Sequence, residues 1–192
     1  MKRKLTFLLT AFLLLTGMTS WGQLRSTIID HLDRELTGVT GSTYTSWEGK
    51  TSNSDAVYAG QSAGSYESIQ LRSNNSNSGI ITTESGGTVT SVTVIWNENT
   101  FDGRTLNVYG SHSAYTSPTE LYDTITDGTL LGIIKKGTST ELEITQPFEY
   151  LGLRSAGGAM YLEAIDITWE TGGSVPPTPT VATPTFTPAA GP

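Results

Sequence analysis

The sequence predicts an all-β fold: an antiparallel β-sandwich, jelly-roll-like. Three observations carry that expectation. Val92, Val94 and Trp96 alternate with Thr93 and Ile95, and the period-2 pattern resumes at Leu106 and Val108 beyond the Asp102-Gly103 turn. At least four more short runs of β-branched and aromatic residues follow or precede this pair, separated by Gly, Asn and Pro. Helical periodicity is nearly missing, and 21 glycines suit a chain that turns often.

Taken in order, the chain divides into three parts. Residues 1–22 carry Lys2, Arg3 and Lys4, then an apolar run over 5–15, then a smaller, more polar stretch ending in Gly22. This is the order of a secretory signal peptide, and its apolar run is too short to span a bilayer. Export to the medium or the cell surface follows, with no membrane span once the signal is removed. Residues 23–170 form the expected sandwich domain. Residues 171–192 form a Pro/Thr-rich linker, extended and semi-rigid, ending as a second apolar-plus-turn pattern begins.

Within the domain, Ile28, Ile29, Leu32 and Leu36 fit a helix capped by Ser26, yet 28–32 equally fits a first strand. Gly38 ends either. Residues 44–64 read as a long connection holding one short strand, Ala56-Val-Tyr-Ala59. Strands follow at 67–72 and 80–83, parted by the Asn/Ser turn 73–79. Residues 89–96 and 104–110 read as neighbouring antiparallel strands at the centre. The longest loop, 111–128, contains Ser117-Pro-Thr-Glu120, a capping pattern that predicts one helical turn through Leu121 and Tyr122. Four further strands are expected at 130–134, 141–145, 150–154 and 160–169.

Composition excludes several functions. Removing the signal takes three of the 11 basic residues and none of the 18 acidic ones, leaving 8 against 18 and a net charge of −10. Nucleic-acid backbones need Lys and Arg, so no nucleic-acid partner is expected. Without cysteine there are no disulfides, thiolate metal sites or amino-terminal lipid attachment.

No catalytic constellation stands out. His31 and His112 are the only histidines, and neither accompanies a Gly-x-Ser-x-Gly turn. Loop carboxylates (Glu98, Asp102, Glu120, Asp123, Asp127) are too many to single out a glycosidase pair. Asp102, Asp123 and Asp127 are candidate ligands for a structural calcium ion, with Asp30 or Asp166 as alternatives, although no EF-hand-type loop is present. Sugar binding needs exposed rings beside polar groups. The candidate ligand-binding residues are therefore Trp47, Tyr66, Tyr115 and Tyr122, with Arg104 and Arg154. Tyr44, Tyr58 and Arg72 share those features. Against this, Trp47 and Tyr58 suit lids on the core, and Arg72, Arg104 and Arg154 suit salt bridges to loop carboxylates. Trp96 and Trp169, at strand ends in the alternation, are expected in the core.

Two resemblances bear on function. The segments Tyr44-Thr-Ser-Trp47, Ala56-Val-Tyr-Ala-Gly-Gln-Ser-Ala63, the 69–79 run, Gly103-Arg-Thr-Leu-Asn-Val-Tyr-Gly110, Gly152-Leu-Arg-Ser155, Gly158-Ala-Met-Tyr-Leu162 and Ile165-Asp-Ile-Thr-Trp169 together resemble a secreted β-sandwich module of multidomain exported proteins from gut anaerobes. That resemblance implies fold and export, and no particular activity. The tail Ala182-Thr-Pro-Thr-Phe-Thr-Pro-Ala-Ala-Gly191 resembles the opening of a chitobiase/β-hexosaminidase C-terminal-type repeat, an accessory module beside carbohydrate-active domains. It implies downstream domains of the same polypeptide as partners. The expected function is a non-catalytic accessory module, carbohydrate-binding or adhesive, with a glycan or cell-surface polysaccharide as partner. The alternative is a structural spacer that presents a downstream module. A glycoside-active enzyme ranks third.

Overall fold

A computed structural model describes residues 25–172. The expected signal peptide and the Pro/Thr tail lie outside the described residues.

Eleven strands form two antiparallel sheets. The first joins β1 (Ser26–Asp33), β11 (Ala159–Thr171), β6 (Thr88–Trp96) and β9 (Glu141–Glu143) in that order, with β4 (Ile69–Arg72) also paired to β11. The second runs β2 (Thr45–Lys50), β3 (Val57–Ser62), β5 (Gly79–Glu84), β10 (Tyr150–Ser155), β7 (Thr105–Ser111), β8 (Thr129–Lys135). From β5 onward, successive strands switch sheets at every step except β7 to β8. That is jelly-roll connectivity, with β2, β3 and β4 added between the first strand and the rest.

The alternation explains which side chains meet. Val92 and Val94 of β6, Ile165, Ile167 and Trp169 of β11, Leu106 and Val108 of β7, and Leu151 and Leu153 of β10 all bury against one another between the sheets. Their neighbours in sequence face the other way: Ile95 of β6 is 42% exposed, whereas Tyr109 of β7 is covered by a loop. Trp169 is fully buried, as expected, whereas Trp96 is only partly buried and packs on the core's margin.

The pairing of the central strands differs from expectation. β6 and β7 are not neighbours but lie in opposite sheets, β6 between β11 and β9, β7 between β10 and β8. Both strands have a face apolar enough for the core, and residues 97–104 carry the chain over its end. A local alternation pattern reports a buried face, not the identity of the strand beside it.

The ambiguous start resolves as the strand: Ile28, Ile29 and Leu32 lie in β1, and the helix expected from Ser26 does not form. β1 pairs with β11 over its whole length, and then Asp33 caps a single turn, α1 (Arg34–Thr37), through a 2.8 Å bond from the Leu36 amide. Gly38 closes it at φ 74°, a left-handed position that suits glycine. The connection at 44–64 holds two strands rather than one, β2 having been masked by its Ser, Glu and Gly content.

One buried polar group anchors the core. Asp30 is fully buried and accepts bonds from the amides of Asn53 (2.8 Å) and Ser54 (2.7 Å), the Ser54 hydroxyl (2.5 Å) and the Tyr58 hydroxyl (2.6 Å). Trp169 Nε1 in turn donates to Tyr58 Oη at 3.0 Å. The network ties β1 to the β2–β3 connection, to β3 and to β11, with four donors on one carboxylate. Burial, together with the hydrogen bond to Asp30, holds the Tyr58 phenol far above its ordinary range.

A smaller apolar cluster sits on the opposite face of the second sheet. Ala59, Ile81 and Tyr109 point away from the main core and are covered by Tyr115 and Leu121 from the 111–128 loop. The Ser117 pattern does form one turn, a 3-10 turn over Pro118–Tyr122. The Ser117 hydroxyl accepts from the Thr119 amide (3.3 Å), and Glu120 reaches back to the Thr116 amide (3.0 Å). This turn lies directly on β10: a side chain at Gly152 would collide with Leu121.

Candidate functional site

The candidate site is a row of tyrosines and arginines around β4, the start of β11 and the end of β10. β4 places Ile69 and Leu71 in the core, so Gln70 and Arg72 turn away from it. β11 does the same with Met160 and Leu162 against Tyr161, which lies opposite Gln70. The Arg72 guanidinium lies over the Tyr44 ring, 4.7 Å from its centroid, and Nε donates to the Tyr44 hydroxyl at 3.0 Å. Burial raises the Tyr44 phenol above its usual value, with the Arg72 hydrogen bond opposing.

Tyr66 extends the row on one side. Its ring meets Tyr161 edge-on at 4.8 Å, yet it is 58% exposed. Tyr66 and Glu67 are consecutive non-glycine residues at φ 54° and 53°, a left-handed pair that costs strain. The surroundings hold it there: Asn97 Nδ2 donates to the Tyr66 carbonyl at 3.3 Å.

Tyr122 and Arg154 extend the row on the other side. The Tyr122 hydroxyl donates to the Ser78 carbonyl at 2.7 Å, and a longer contact of 3.4 Å reaches the Arg72 carbonyl. The Arg154 guanidinium lies 4.7 Å from the Tyr122 centroid and 5.6 Å from that of Tyr109. Burial pushes the Tyr122 phenol up to about 12, opposed by the Arg154 charge. Stacked planar cations and half-open rings offer what a sugar needs: apolar faces for C–H groups, and forked donors for oxygens.

The structure thus brings together three of the candidates, Tyr66, Tyr122 and Arg154, with Tyr44 and Arg72, which share their features in sequence, and adds Tyr161. Tyr161 is the residue that sequence reasoning passed over. Its signal was present, since alternation with Met160 and Leu162 puts it on the opposite face.

The other candidates lie elsewhere. Tyr115 is only 2% exposed, its hydroxyl bonded to the Asp127 carbonyl at 2.8 Å. Its ring fills the second apolar cluster and cannot stack on a ligand, which corrects its place among the loop platforms. Trp47 is also buried, its Nε1 donating to Ser62 Oγ at 3.1 Å, and serves as a lid on the core, as does Tyr58. Arg104 packs beside Phe101, with its guanidinium donating to the Gly157 carbonyl.

The three aspartates do not assemble. Asp123 and Asp127 share one turn, where Asp123 Oδ1 accepts from the Ile125 amide at 2.9 Å. Asp102 lines a separate open cleft of about 420 Å³ with Trp96, Lys136 and residues 137–140. Among the described residues no three His, Asp or Glu side chains converge as a metal would require. Asp30 spends its oxygens on protein donors, and Asp166 Oδ1 lies 2.6 Å from His31 Nδ1. His112 Nδ1 lies 2.7 Å from Glu149 Oε2, and both histidines are exposed. Ser52 Oγ bonds the backbone of His31.

Comparison with protein-family models, curated proteins and solved structures finds no match. The functional reading therefore rests on the geometry of the site.

Proposed function

We propose that the domain is a non-catalytic carbohydrate-binding or adhesive module of an exported protein, and that it binds glycan along the Tyr66–Tyr161–Tyr44–Arg72–Tyr122–Arg154 row. The observation that supports this most is Tyr66. A 58% exposed ring held by two left-handed residues is a strained arrangement that folding alone does not need. Sugar rings stack on such faces, and arginines beside them orient hydroxyl or carboxylate oxygens without covalent chemistry.

The test is a glycan-array screen of the chain from residue 23, with and without calcium. The reading expects reproducible hits that Tyr66→Ala abolishes while the fold persists. A blank array from well-folded protein would move the function to that of a spacer for downstream modules.

A further inference from the structure

We infer that the ligand of this site carries an isolated anionic group, a carboxylate or sulfate, as an acidic sugar does. The inference rests on the glycan reading above and narrows its substrate class.

Three arginines near or in the site lack carboxylate partners. Among the described residues the ion pairs are Arg25–Glu170, His31–Asp166 and His112–Glu149; Arg72, Arg104 and Arg154 have none within 4.0 Å. This overturns the expectation that they bridge to loop carboxylates. From residue 23 onward the chain holds 18 acidic residues against 8 basic ones. Among the described lysines and arginines only Arg25 has a carboxylate partner, so what sets these three arginines apart is the rings they lie against: Arg72 over Tyr44, Arg154 over Tyr122, Arg104 beside Phe101. The Nε atoms of Arg104 and Arg154 are buried without any hydrogen-bond acceptor. An unpartnered buried donor is costly, and because these Nε atoms lie out of reach of solvent, a ligand would meet the terminal guanidinium nitrogens instead.

Arg72 and Arg154 belong to the row and Arg104 lies outside it, yet the backbone segments that carry all three adjoin one turn, residues 156–158. Arg154 is the penultimate residue of β10, the strand that enters it. Arg104 bonds the Gly157 carbonyl. On the other side Ser73, next to Arg72, accepts from the Gly158 amide through its hydroxyl at 2.8 Å. Guanidinium groups held flat by stacking present forked donors suited to a carboxylate or sulfate. The overall negative charge still repels a dense polyanion such as a nucleic acid, which needs many cations. What fits is one anionic group per recognised unit, flanked by apolar sugar faces on the tyrosines.

The test compares matched probes: uronic-acid oligosaccharides against their carboxyl-reduced neutral counterparts, and sulfated against desulfated ones, by calorimetry on the chain from residue 23. We expect at least one acidic probe to bind about tenfold or more tightly than its neutral match, with affinity falling as sodium chloride rises from about 50 to 500 mM. Arg154→Lys, which keeps charge but loses the fork, should weaken that binding about tenfold. Arg25→Gln, at the exposed ion pair, should not. Equal binding of acidic and neutral probes, or no salt effect on unmodified protein, overturns the anion inference while leaving glycan binding intact. Failure of every probe and of the array overturns both. The salt series needs no variant, so a misfolded substitution does not decide the outcome.

Discussion

Replacing Asp30 by Ala should be among the most destabilising single changes in the domain. The carboxylate is fully buried and accepts four hydrogen bonds between 2.5 and 2.8 Å. Its loss leaves two amides and two hydroxyls facing a void. Each orphaned buried donor costs about 1–3 kcal/mol, but the connection around Asn53 and Ser54 relaxes, so the costs do not simply add. A net loss of about 3–5 kcal/mol is expected, comparable to removing one partner of a buried pair. For a domain of about 150 residues that lowers the melting temperature by roughly 10–15 °C. Tyr58→Phe removes one of the four bonds and strands Trp169 Nε1, for about 1–3 kcal/mol. Urea unfolding followed by tryptophan fluorescence reads both, and the double variant reads their coupling. A loss below about 1 kcal/mol for Asp30→Ala, or additive effects of the two changes, would refute the network as the anchor of the core.

Three further outcomes follow from the same structure. Tyr115→Ala should destabilise by about 3–5 kcal/mol by emptying the second cluster, so any binding loss it shows reports packing, whereas Tyr66→Ala should leave the melting temperature within about 2 °C. Gly152→Ala should cost about 1–3 kcal/mol by thrusting a methyl into Leu121, measured by chemical denaturation. Alkaline titration should show a stability loss driven by tyrosine. The Tyr122 phenol is raised from 10.0 in the unfolded chain to about 12, and those of Tyr58 and Tyr115 are raised too, all first by burial. Above pH 10.0 the unfolded chain releases protons that the fold retains, so stability is complete below that pH and declines as pH rises through about 12. Tyrosinate absorbance should accordingly appear in two phases, the later one coinciding with loss of near-ultraviolet dichroism.

The fold class was legible because a sandwich writes its inner face into each strand. Val92, Val94 and Trp169 could be placed in the core from alternation alone. Strand partners are not written so: alternation predicts β6 and β7 side by side, and nothing local distinguishes a hairpin from the crossover that forms. β2 escaped because Thr45-Ser-Trp-Glu-Gly-Lys50 offers only Trp47 to the core. The site was half legible for a related reason. Tyr115 and Tyr122 sit in the same loop and look alike in sequence, yet the bare Gly152 surface draws Tyr115 and Leu121 down and leaves Tyr122 beside Arg154. The row itself joins residues 44, 66, 72, 122, 154 and 161, and only the pairing of β4 with β11 brings Tyr161 opposite Gln70, within reach of Tyr66.

The most direct test of the tyrosine–arginine row is to map the tightest ligand from the array by chemical-shift changes of aromatic and arginine side-chain protons. The account predicts shifts at Tyr44, Tyr66, Tyr161, Tyr122 and Arg154, with the buried Trp47 and Tyr115 unmoved. Shifts confined to the separate cleft of Trp96, Asp102 and Lys136 would contradict it, since the ligand would then occupy a different surface.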